Sequence, residues 1–362
     1  MSINDFQVEL AETLSPIPER IYPTVRPWTK TKTGKLKKIR RLINDAIERR
    51  EGGSAARIKQ RIEGRRQGDG TKIAIYAHYA STGRVSEMVF TQIAIYVELG
   101  FEINFVTMSP KLLDADIVKL KMLCRTIILR RSFGRDFGAW RDVLRSEALD
   151  RRSIEELLLL NDSVLGPIRP LEPMFKVMRA TEGLWGLTDS DQSGAHLQTY
   201  FLLVRGRAAV KAVVSFFDSL RLSSDKEETI RRGELQFSRR IANAGVPVFA
   251  FFGRRQVEAA ALEDPLLCHE VAMSIDSAFY VESDYNEEIR KLRLRRGFIT
   301  HNYNPTHQMA EVLVAKFGFP FIKTELIVVN PCNMTIAKKW SSFVKDDSPC
   351  SVEMITEHLC HL

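Results

Sequence analysis

The 362-residue sequence predicts an α/β protein with a mostly parallel sheet and helices on both of its faces. One observation supports this fold class, and a second shows that the chain is globular. Short β-rich runs alternate with segments of helical spacing at the intervals of βαβ units, which place successive strands parallel in one sheet. Apolar residues make up 44% of the chain and charged residues 27%, as in a globular chain rather than a disordered one.

The elements follow one another at short intervals between residues 72 and 160. Strands are predicted at 72–77, 101–107, 125–129 and 156–160, and helices at 84–99, 115–123 and 139–149. Such sheets bind ligands beyond the carboxyl ends of their strands. Chemistry is therefore expected at that edge of the sheet.

The first 70 residues differ from this body in charge and pattern. They hold 16 basic and 9 acidic side chains, in a chain whose formal net charge is +8. Prolines within residues 1–25 predict an extended arm, whereas residues 33–50 place Leu and Ile on one face of a basic amphipathic helix. Such a helix suits an anionic membrane surface, and docking of its apolar face on the protein itself is the alternative. Basic residues without interleaved aromatics argue against a nucleic-acid partner.

Several classes of protein lack support in the sequence. No stretch approaches the ~20 apolar residues that span a bilayer, and residues 1–10 lack the apolar core of a signal peptide. The five cysteines are scattered and odd in number, which predicts reduced thiols in a cytosolic protein. Neither a P-loop motif nor a Gly-x-Gly-x-x-Gly motif follows the first strand, so P-loop chemistry and hydride transfer on a dinucleotide are not indicated.

Two segments at predicted strand ends carry candidate chemistry. In RSFGRDFGAW (131–140), Gly134 and Gly138 flank Asp136, and small residues at such a turn let an anion or a sugar approach a helix N-terminus. In LLLLNDSVLGP (157–167), Asn161 and Asp162 follow a buried strand, where a carboxylate can bind Mg²⁺ or Mn²⁺. Helix capping by Asp136 and turn formation by the Asn-Asp-Ser sequence are the alternatives.

A series of motifs resembles the rhamnan synthesis protein F family of bacterial glycosyltransferases. It covers about residues 72–331 and consists of AHYASTGRV (77–85), FGRDFGAW (133–140), LLLNDSVLGP (158–167), LWGLT (184–188), HLQTYFLLV (196–204), GELQFSRRIANAGVPV (233–248), NPTHQM (304–309) and GFPFIKTELIVVNP (318–331). The resemblance implies a GT-A-like, Rossmann-like sheet and transfer of a sugar from a nucleotide diphosphate, usually dTDP-L-rhamnose. The implied acceptor is a polysaccharide or lipid-linked glycan at the inner face of the cytoplasmic membrane.

The charge pattern and the resemblance together predict a division of the chain into three parts. Residues 1–70 form a basic arm and helix, whose positions 33–66 would meet an anionic membrane. Residues 71–265 form the transferase domain, and residues 266–362 form a mainly helical extension on the acceptor side. The chain would then be a cytoplasmic protein, peripheral on the inner membrane.

The metal site is the first role that the resemblance implies. Asn161-Asp162 occupies the position of the D-x-D metal motif of GT-A enzymes, with one carboxylate in place of two. A literal D-x-D, Asp189-Ser190-Asp191, is predicted in the polar loop after LWGLT. A Mg²⁺ or Mn²⁺ site and a metal-independent site therefore both stay open.

The catalytic base is the second role. GELQFSRRI (233–241) resembles the helix start at which related transferases carry an acidic residue that deprotonates the acceptor hydroxyl, and Glu234 is the matching position. A general base needs a carboxylate within hydrogen-bond reach of its substrate. A first-turn glutamate that complements the helix dipole is the alternative.

Residues that would contact donor and acceptor complete the predicted site. His196 and Gln198 project to one face of a predicted strand and are assigned with Tyr200 to the acceptor, although a core histidine is an equally good interpretation. The residues assigned to the donor are His78, Asn161, Gly134, Gly138 and Lys323, together with Asp136, and Lys323 is assigned as a partner of the diphosphate. The alternatives for the diphosphate are Arg131, Arg135 and Arg239. His301 and His307 are weaker candidates, and Trp140 and Trp185 are predicted to be structural.

The predicted function is an inverting transfer of a deoxysugar, L-rhamnose by resemblance. Glu234 would take the acceptor proton, Asp162 would support the departing diphosphate, and Asp136 would hold the donor. A catalytically inactive scaffold in a polysaccharide assembly complex and a basic nucleic-acid-associated protein are the rival hypotheses.

Overall fold

A computed structural model describes residues 17–24, 39, 42–43, 46, 57–146, 149–275, 287–301 and 303–362. The strands are β1 (Glu19–Arg20), β2 (Ile58–Glu63), β3 (Lys72–His78), β4 (Glu102–Thr107), β5 (Thr126–Arg130), β6 (Glu156–Asn161), β7 (Val164–Leu165), β8 (Gly183–Ser190), β9 (His196–Leu197), β10 (Phe201–Arg205), β11 (Val248–Phe252) and β12 (Ile322–Lys323). The helices are α1 (Glu87–Glu98), α2 (Asp114–Leu123), α3 (Arg135–Leu144), α4 (Glu172–Met178), α5 (Arg207–Ser219), α6 (Lys226–Arg232), α7 (Glu234–Asn243), α8 (Arg254–Glu263), α9 (Pro265–Ile275), α10 (Glu287–Thr300), α11 (Pro305–Gln308), α12 (Ala310–Phe317), α13 (Thr324–Val328), α14 (Ile336–Lys339) and α15 (Val352–Leu359), with a 3₁₀ turn at Trp340–Phe343.

The described strands form a ten-stranded sheet in the order β1-β11-β8-β10-β6-β3-β4-β5-β2, with β9 beside β8. Its centre is parallel: β6, β3, β4 and β5 run in one direction, and β11 runs parallel to β8. Antiparallel pairs occur where β10 lies between β6 and β8, and at the edges. A separate two-stranded ladder joins β7 to β12.

Helices cover both faces of the sheet, as the alternation of elements predicts. Along β6, Leu157 and Leu159 enter one apolar core, together with α3, α5 and α7. Leu158 and Leu160 enter the other core, together with α1, α4 and the C-terminal helices. Side chains of a strand point alternately to its two faces, so an uninterrupted apolar run is what a strand covered on both faces requires.

The predicted α/β class is confirmed, and the elements between residues 72 and 161 lie close to their predicted bounds. The helix predicted at 139–149 begins earlier, at Arg135, because Gly134 and Arg135 turn the chain in left-handed conformations with φ of 72° and 51°. The C-terminal region is mainly helical, as expected.

The N-terminal residues that the structure describes contribute strands to the sheet. β1 pairs with β11, and β2 pairs with β5. The sheet therefore extends across the predicted boundary at residue 70, while the three-part division of the chain stays a prediction. Most of the predicted basic helix at 33–50 lies outside the described residues; Ile39, Leu42 and Ile43 are helical and about half exposed. In the described part of the chain, no helix is long and apolar enough to cross a bilayer.

Candidate functional site

A cavity of about 370 Å³ opens at the carboxyl ends of β6 and β8. Helices α3 and α7 begin at its wall, and the segment around residues 304–325 closes it from the C-terminal side. This is the edge at which parallel sheets bind ligands. Predicted site residues that line it are Asp136, Asn161, His196, Gln198, Tyr200, Glu234 and Lys323.

The start of α3 is fixed in place at the mouth of the cavity. Gly134 takes a φ of 72°, so the chain turns there with a residue that has no Cβ to oppose the turn. Trp140, one turn into the helix, is fully buried and donates its indole N–H to the carbonyl of Leu160, 3.1 Å away on β6. This bond holds the first turn of α3, and Asp136 with it, against the end of β6.

A chain of hydrogen bonds runs along the cavity wall from Asp136 to Lys323. The amide of Asn161 donates to Oδ2 of Asp136 at 2.7 Å. Its Oδ1 accepts from the backbone N–H of Ser163 at 3.1 Å and from the Ser163 hydroxyl at 2.6 Å. Lys323 Nζ in turn donates to Ser163 Oγ at 2.8 Å. Groups from α3, β6 and β12 are thereby connected.

Charges of both signs face each other in this wall. Burial raises the pKa of Asp136, opposed by the Asn161 hydrogen bond and by Lys323. Burial also lowers the pKa of Lys323, while the carboxylates of Glu234 and Asp136 raise it. The net effect lowers the pKa of Lys323, and its ammonium group shares the cavity with the side chains of Arg135 and Lys226.

Glu234 is the first residue of α7 and lines the cavity. The helix is tied to the sheet because Ser238 Oγ accepts the backbone N–H of Leu197 at 3.1 Å. The negative charge of Glu234 acts on both Asp136 and Lys323. A half-buried carboxylate in this position is able to accept a proton from a ligand in the cavity.

The three residues assigned to the acceptor also line the cavity, in different ways. His196 Nδ1 lies 2.7 Å from the carbonyl of Gly194, which can only accept, so the Nδ1 carries the proton. The Gln198 amide donates to Asn304 Oδ1 at 2.9 Å and its Oε1 accepts from Thr188 at 2.7 Å. The Tyr200 ring lies under Lys323 Nζ, 4.7 Å from its centroid.

Several predicted donor residues lie outside the cavity lining. His78 is 2% exposed, bonded through Nδ1 to Thr107 Oγ1 at 3.1 Å, and burial lowers its pKa to about 3. Gly134 and Gly138 serve packing: a Cβ on Gly134 would lie 2.8 Å from the Leu222 side chain, and one on Gly138 would lie 2.0 Å from the Phe133 carbonyl oxygen.

Asp162 lies beside the cavity, at the junction of β6 and the loop after β3. Its Oδ2 accepts the backbone N–H of Tyr79 at 2.6 Å. Burial raises the pKa of Asp162 to about 7, the negative charge of Asp136 adds to that rise, and the Tyr79 N–H and Lys323 oppose it.

The prediction that the D-x-D sequence at 189–191 lies in a loop is wrong. The sequence begins within β8. Asp189 and Ser190 pair with Leu197 and His196, which extends the strand by two polar residues. Asp189 accepts the backbone N–H of Arg254 at 2.7 Å, and burial raises its pKa to about 6. Among the residues that the structure describes, no group of three or more His, Cys, Asp or Glu side chains is placed to hold a metal ion.

The other candidate residues lie at the cavity, in the core or on the surface. Arg135 lines the cavity, and Arg239 is exposed on α7. Trp140 and Trp185 are buried, as predicted. His307 lies beside the site, with Nε2 3.8 Å from Glu325 Oε2.

Sequence reasoning missed Ser163, Asn304 and Glu325, all of which line the cavity. Asn304 lies in NPTHQM, where its side chain accepts the N–H of Thr306 and starts α11. An asparagine before proline and threonine is a recognisable helix cap, but nothing local indicates that the same amide oxygen accepts a bond from Gln198. Only the fold brings these residues together.

Comparisons with known proteins give relatives of this chain. The virulence protein VirA of Vibrio anguillarum is 29% identical over 232 residues, which are 62% of this chain and 68% of that protein. The uncharacterized protein y4gN of Sinorhizobium fredii is 26% identical over 193 residues, covering 51% of this chain and 49% of that protein. Among solved structures, a complex of the galactosyltransferase LgtC with donor and acceptor sugar analogs is 13% identical, covers 49% of this chain and 72% of that one, and gives a TM-score of 0.28, too low to carry an argument.

The family comparison bears on the motifs directly. Residues 103–277 match the sequence model of rhamnan synthesis protein F. That range contains α3, the end of β6 and α7, which supply Asp136, Asn161 and Glu234 to the cavity. The match confirms the resemblance for the five motifs that lie within it: residues 103–277 are similar to rhamnan synthesis protein F.

Proposed function

We propose that the chain is an inverting glycosyltransferase of surface polysaccharide synthesis. It transfers a deoxysugar, L-rhamnose from dTDP-L-rhamnose, to a hydroxyl of a polysaccharide or lipid-linked glycan. The family match supports transfer in polysaccharide synthesis, and the choice of rhamnose rests on the family resemblance alone.

One observation carries the proposal. The cavity at the carboxyl ends of β6 and β8 places a carboxylate that can accept a proton, Glu234, in the same wall as a cation, Lys323, and a hydrogen-bonded Asp136–Asn161 pair. A sugar transfer needs these three functions: a base for the acceptor hydroxyl, a positive charge for the leaving diphosphate and polar groups for sugar hydroxyls.

In the proposed reaction the acceptor oxygen attacks the anomeric carbon of the donor from the face opposite the diphosphate. The new carbon–oxygen bond forms as the bond to the diphosphate oxygen breaks, and the bonding electrons leave with the diphosphate. The acceptor proton passes to Glu234. A single displacement of this kind inverts the anomeric configuration, which NMR of the product compared with the donor reads directly.

The test is transfer by Glu234→Gln, with Glu172→Gln as its matched control. Both residues begin a helix, but Glu172 is exposed at the start of α4 and does not line the cavity. Loss of a general base lowers kcat by roughly 10²–10⁴-fold, and donor binding should persist. Equal activities of the two variants would mean that Glu234 only complements its helix dipole.

The donor is tested with a panel of dTDP-, UDP- and GDP-sugars. Transfer from dTDP-L-rhamnose above all others supports the proposal, whereas another preferred donor would replace rhamnose and keep the transferase. Nucleotide-sugar binding without any transfer would favour an inactive scaffold. Salt-sensitive binding of DNA or RNA would favour the nucleic-acid hypothesis.

We also propose that the protein works as a peripheral protein at the cytoplasmic face of the inner membrane. The first 70 residues hold 16 of the 53 basic side chains. The apolar side chains of Ile39, Leu42 and Ile43 are 53%, 50% and 53% exposed, which leaves them accessible to a lipid surface. Because β1 and β2 belong to the sheet, removal of residues 1–70 would damage the fold, so neutralisation of basic side chains is the cleaner test.

A further inference from the structure

The residues at the expected metal position do not fit a divalent ion. Mg²⁺ requires about six oxygen ligands in near-octahedral geometry. Asn161 supplies none, because its amide N–H is given to Asp136 and its oxygen accepts two bonds from Ser163. Asp162 is the single carboxylate of the motif, and one of its oxygens accepts the Tyr79 N–H.

Lys323 brings a cationic side chain into the cavity that Asn161 also lines. Its ammonium group is held between Ser163 Oγ, at 2.8 Å, and the face of the Tyr200 ring, at 4.7 Å from the centroid. An ammonium group has three N–H donors, and Ser163 takes one. Burial lowers the pKa of Lys323, and the carboxylates of Glu234 and Asp136 oppose that lowering.

The fold fixes this position through the pairing of β12 with β7. β12 pairs with β7 so that Ile322 faces Leu165 and Lys323 faces Val164. Ile322 is 1% exposed in the core, and its neighbour Lys323 is thereby directed to the cavity. The ammonium group therefore occupies a fixed place before any ligand binds.

We propose that Lys323 provides the positive charge for the donor diphosphate in this cavity, so that the nucleoside diphosphate binds without a divalent metal ion. The inference rests on the proposed function. The sequence alone leaves a metal ion and three arginines as alternative partners of the diphosphate. The inference assigns this role to Lys323.

The experiment is isothermal titration calorimetry with dTDP, UDP and GDP, in EDTA and again with Mn²⁺. The full chain is compared with Lys323→Met, Lys323→Arg and Lys316→Met. Lys316 is a matched control: it lies on α12 of the same segment, is about half exposed and pairs with Asp264 at 3.0 Å, away from the cavity. Thermal unfolding of each variant reports whether it is folded.

We expect one of the diphosphates to bind in EDTA, with an affinity that Mn²⁺ changes less than about threefold. Lys323→Met should weaken the affinity for the diphosphate at least about tenfold, because a charge-assisted contact is lost. Lys323→Arg should retain part of this affinity, and Lys316→Met should retain all of it. Binding that requires Mn²⁺ would overturn the inference and leave the transferase proposal standing. Metal-free binding that Lys323→Met does not weaken would do the same. Absence of binding by all three diphosphates in both buffers would overturn both proposals.

Discussion

Replacing Asp142 with asparagine should destabilise the protein strongly, because this carboxylate sits between two buried arginines. Arg57 donates Nε and Nη2 to it at 2.8 and 2.7 Å, and Arg130 donates Nε and Nη2 at 3.2 and 2.9 Å. The Asp142 side chain is 1% exposed and that of Arg130 is fully buried. Arg130 also donates to the carbonyl of Phe133, which shapes the turn that leads into α3.

The magnitude follows from burial. Asparagine keeps the shape of Asp142 but removes the charge and turns one acceptor into a donor that would face an arginine N–H. Removing one partner of a buried ion pair costs about 3–5 kcal/mol, because the remaining charge is left uncompensated. Two cations lose this carboxylate, so the upper part of that range is expected. Water cannot replace the carboxylate at this depth without opening the core.

Asp218→Asn is the matched control. Asp218 also pairs with two arginines: it accepts hydrogen bonds from Arg151 at 3.0 and 3.1 Å, and Arg145 Nε lies 3.9 Å away as an ion-pair partner. It differs in being 43% exposed, and exposed ion pairs contribute about 0–1 kcal/mol. Urea denaturation of both variants measures the two losses in the free energy of unfolding. A loss for Asp142→Asn no greater than that for Asp218→Asn would refute the argument from burial.

Three further predictions concern packing, pH and membrane binding. Gly138→Ala should lower the free energy of unfolding by about 1–3 kcal/mol in urea, despite the better helix propensity of alanine, because its Cβ would lie 2.0 Å from the Phe133 carbonyl oxygen; a stabilised variant would contradict it. Burial lowers the pKa of His358 to about 4, and Ser86 Oγ lies 2.7 Å from its Nδ1. The folded state therefore favours the neutral ring. The resulting stability is fully present above about pH 6.5 and is lost as the pH falls toward 4. His358→Gln should therefore make the free energy of unfolding fall less between pH 7 and 4.5, and parallel pH profiles would count against this. Substitution of glutamine for the five Lys and Arg residues within 35–41 should weaken binding to anionic vesicles by about 1 kcal/mol per charge, without lowering turnover on a soluble acceptor. Equal losses of vesicle binding and of turnover would mean that these residues have a structural role.

The sequence predicts the central elements well because their signals are local. β3, β4, β5 and β6 are short runs of β-branched and apolar residues, and the intervening helices have apolar residues at helical steps. β2 carries no such signal: in IKQRIE only Ile58 and Ile62 are half-buried and the other four residues are exposed, so the segment resembles part of a basic arm. The extension of β8 through Asp189 and Ser190 was missed for the same reason, since the partner that makes those polar residues a strand lies beyond a turn.

The candidate site is predictable in its parts but not in its assembly. Asp136, Asn161 and Glu234 each follow a motif, and the rule that ligands bind beyond strand ends places the first two at one edge. His78 carries the same kind of motif evidence, yet its side chain is buried beside Phe105, because the last residues of a strand still alternate between faces. A motif identifies the residue, but the alternation of side chains along the strand determines the face to which that residue projects.

Lys323 shows where local reasoning ends. It is separated from Ser163 by 160 positions, and no pattern near either residue predicts their contact. What fixes it is strand register: because side chains alternate along β12, a slip of one residue against β7 would turn Lys323 into the core and Ile322 into the cavity. A charged ammonium group without a partner in an apolar core costs several kcal/mol, so the alternative register is disfavoured by the same burial that orders Ile322. The pairing that completes the second apolar core therefore also sets the position of the cation in the cavity.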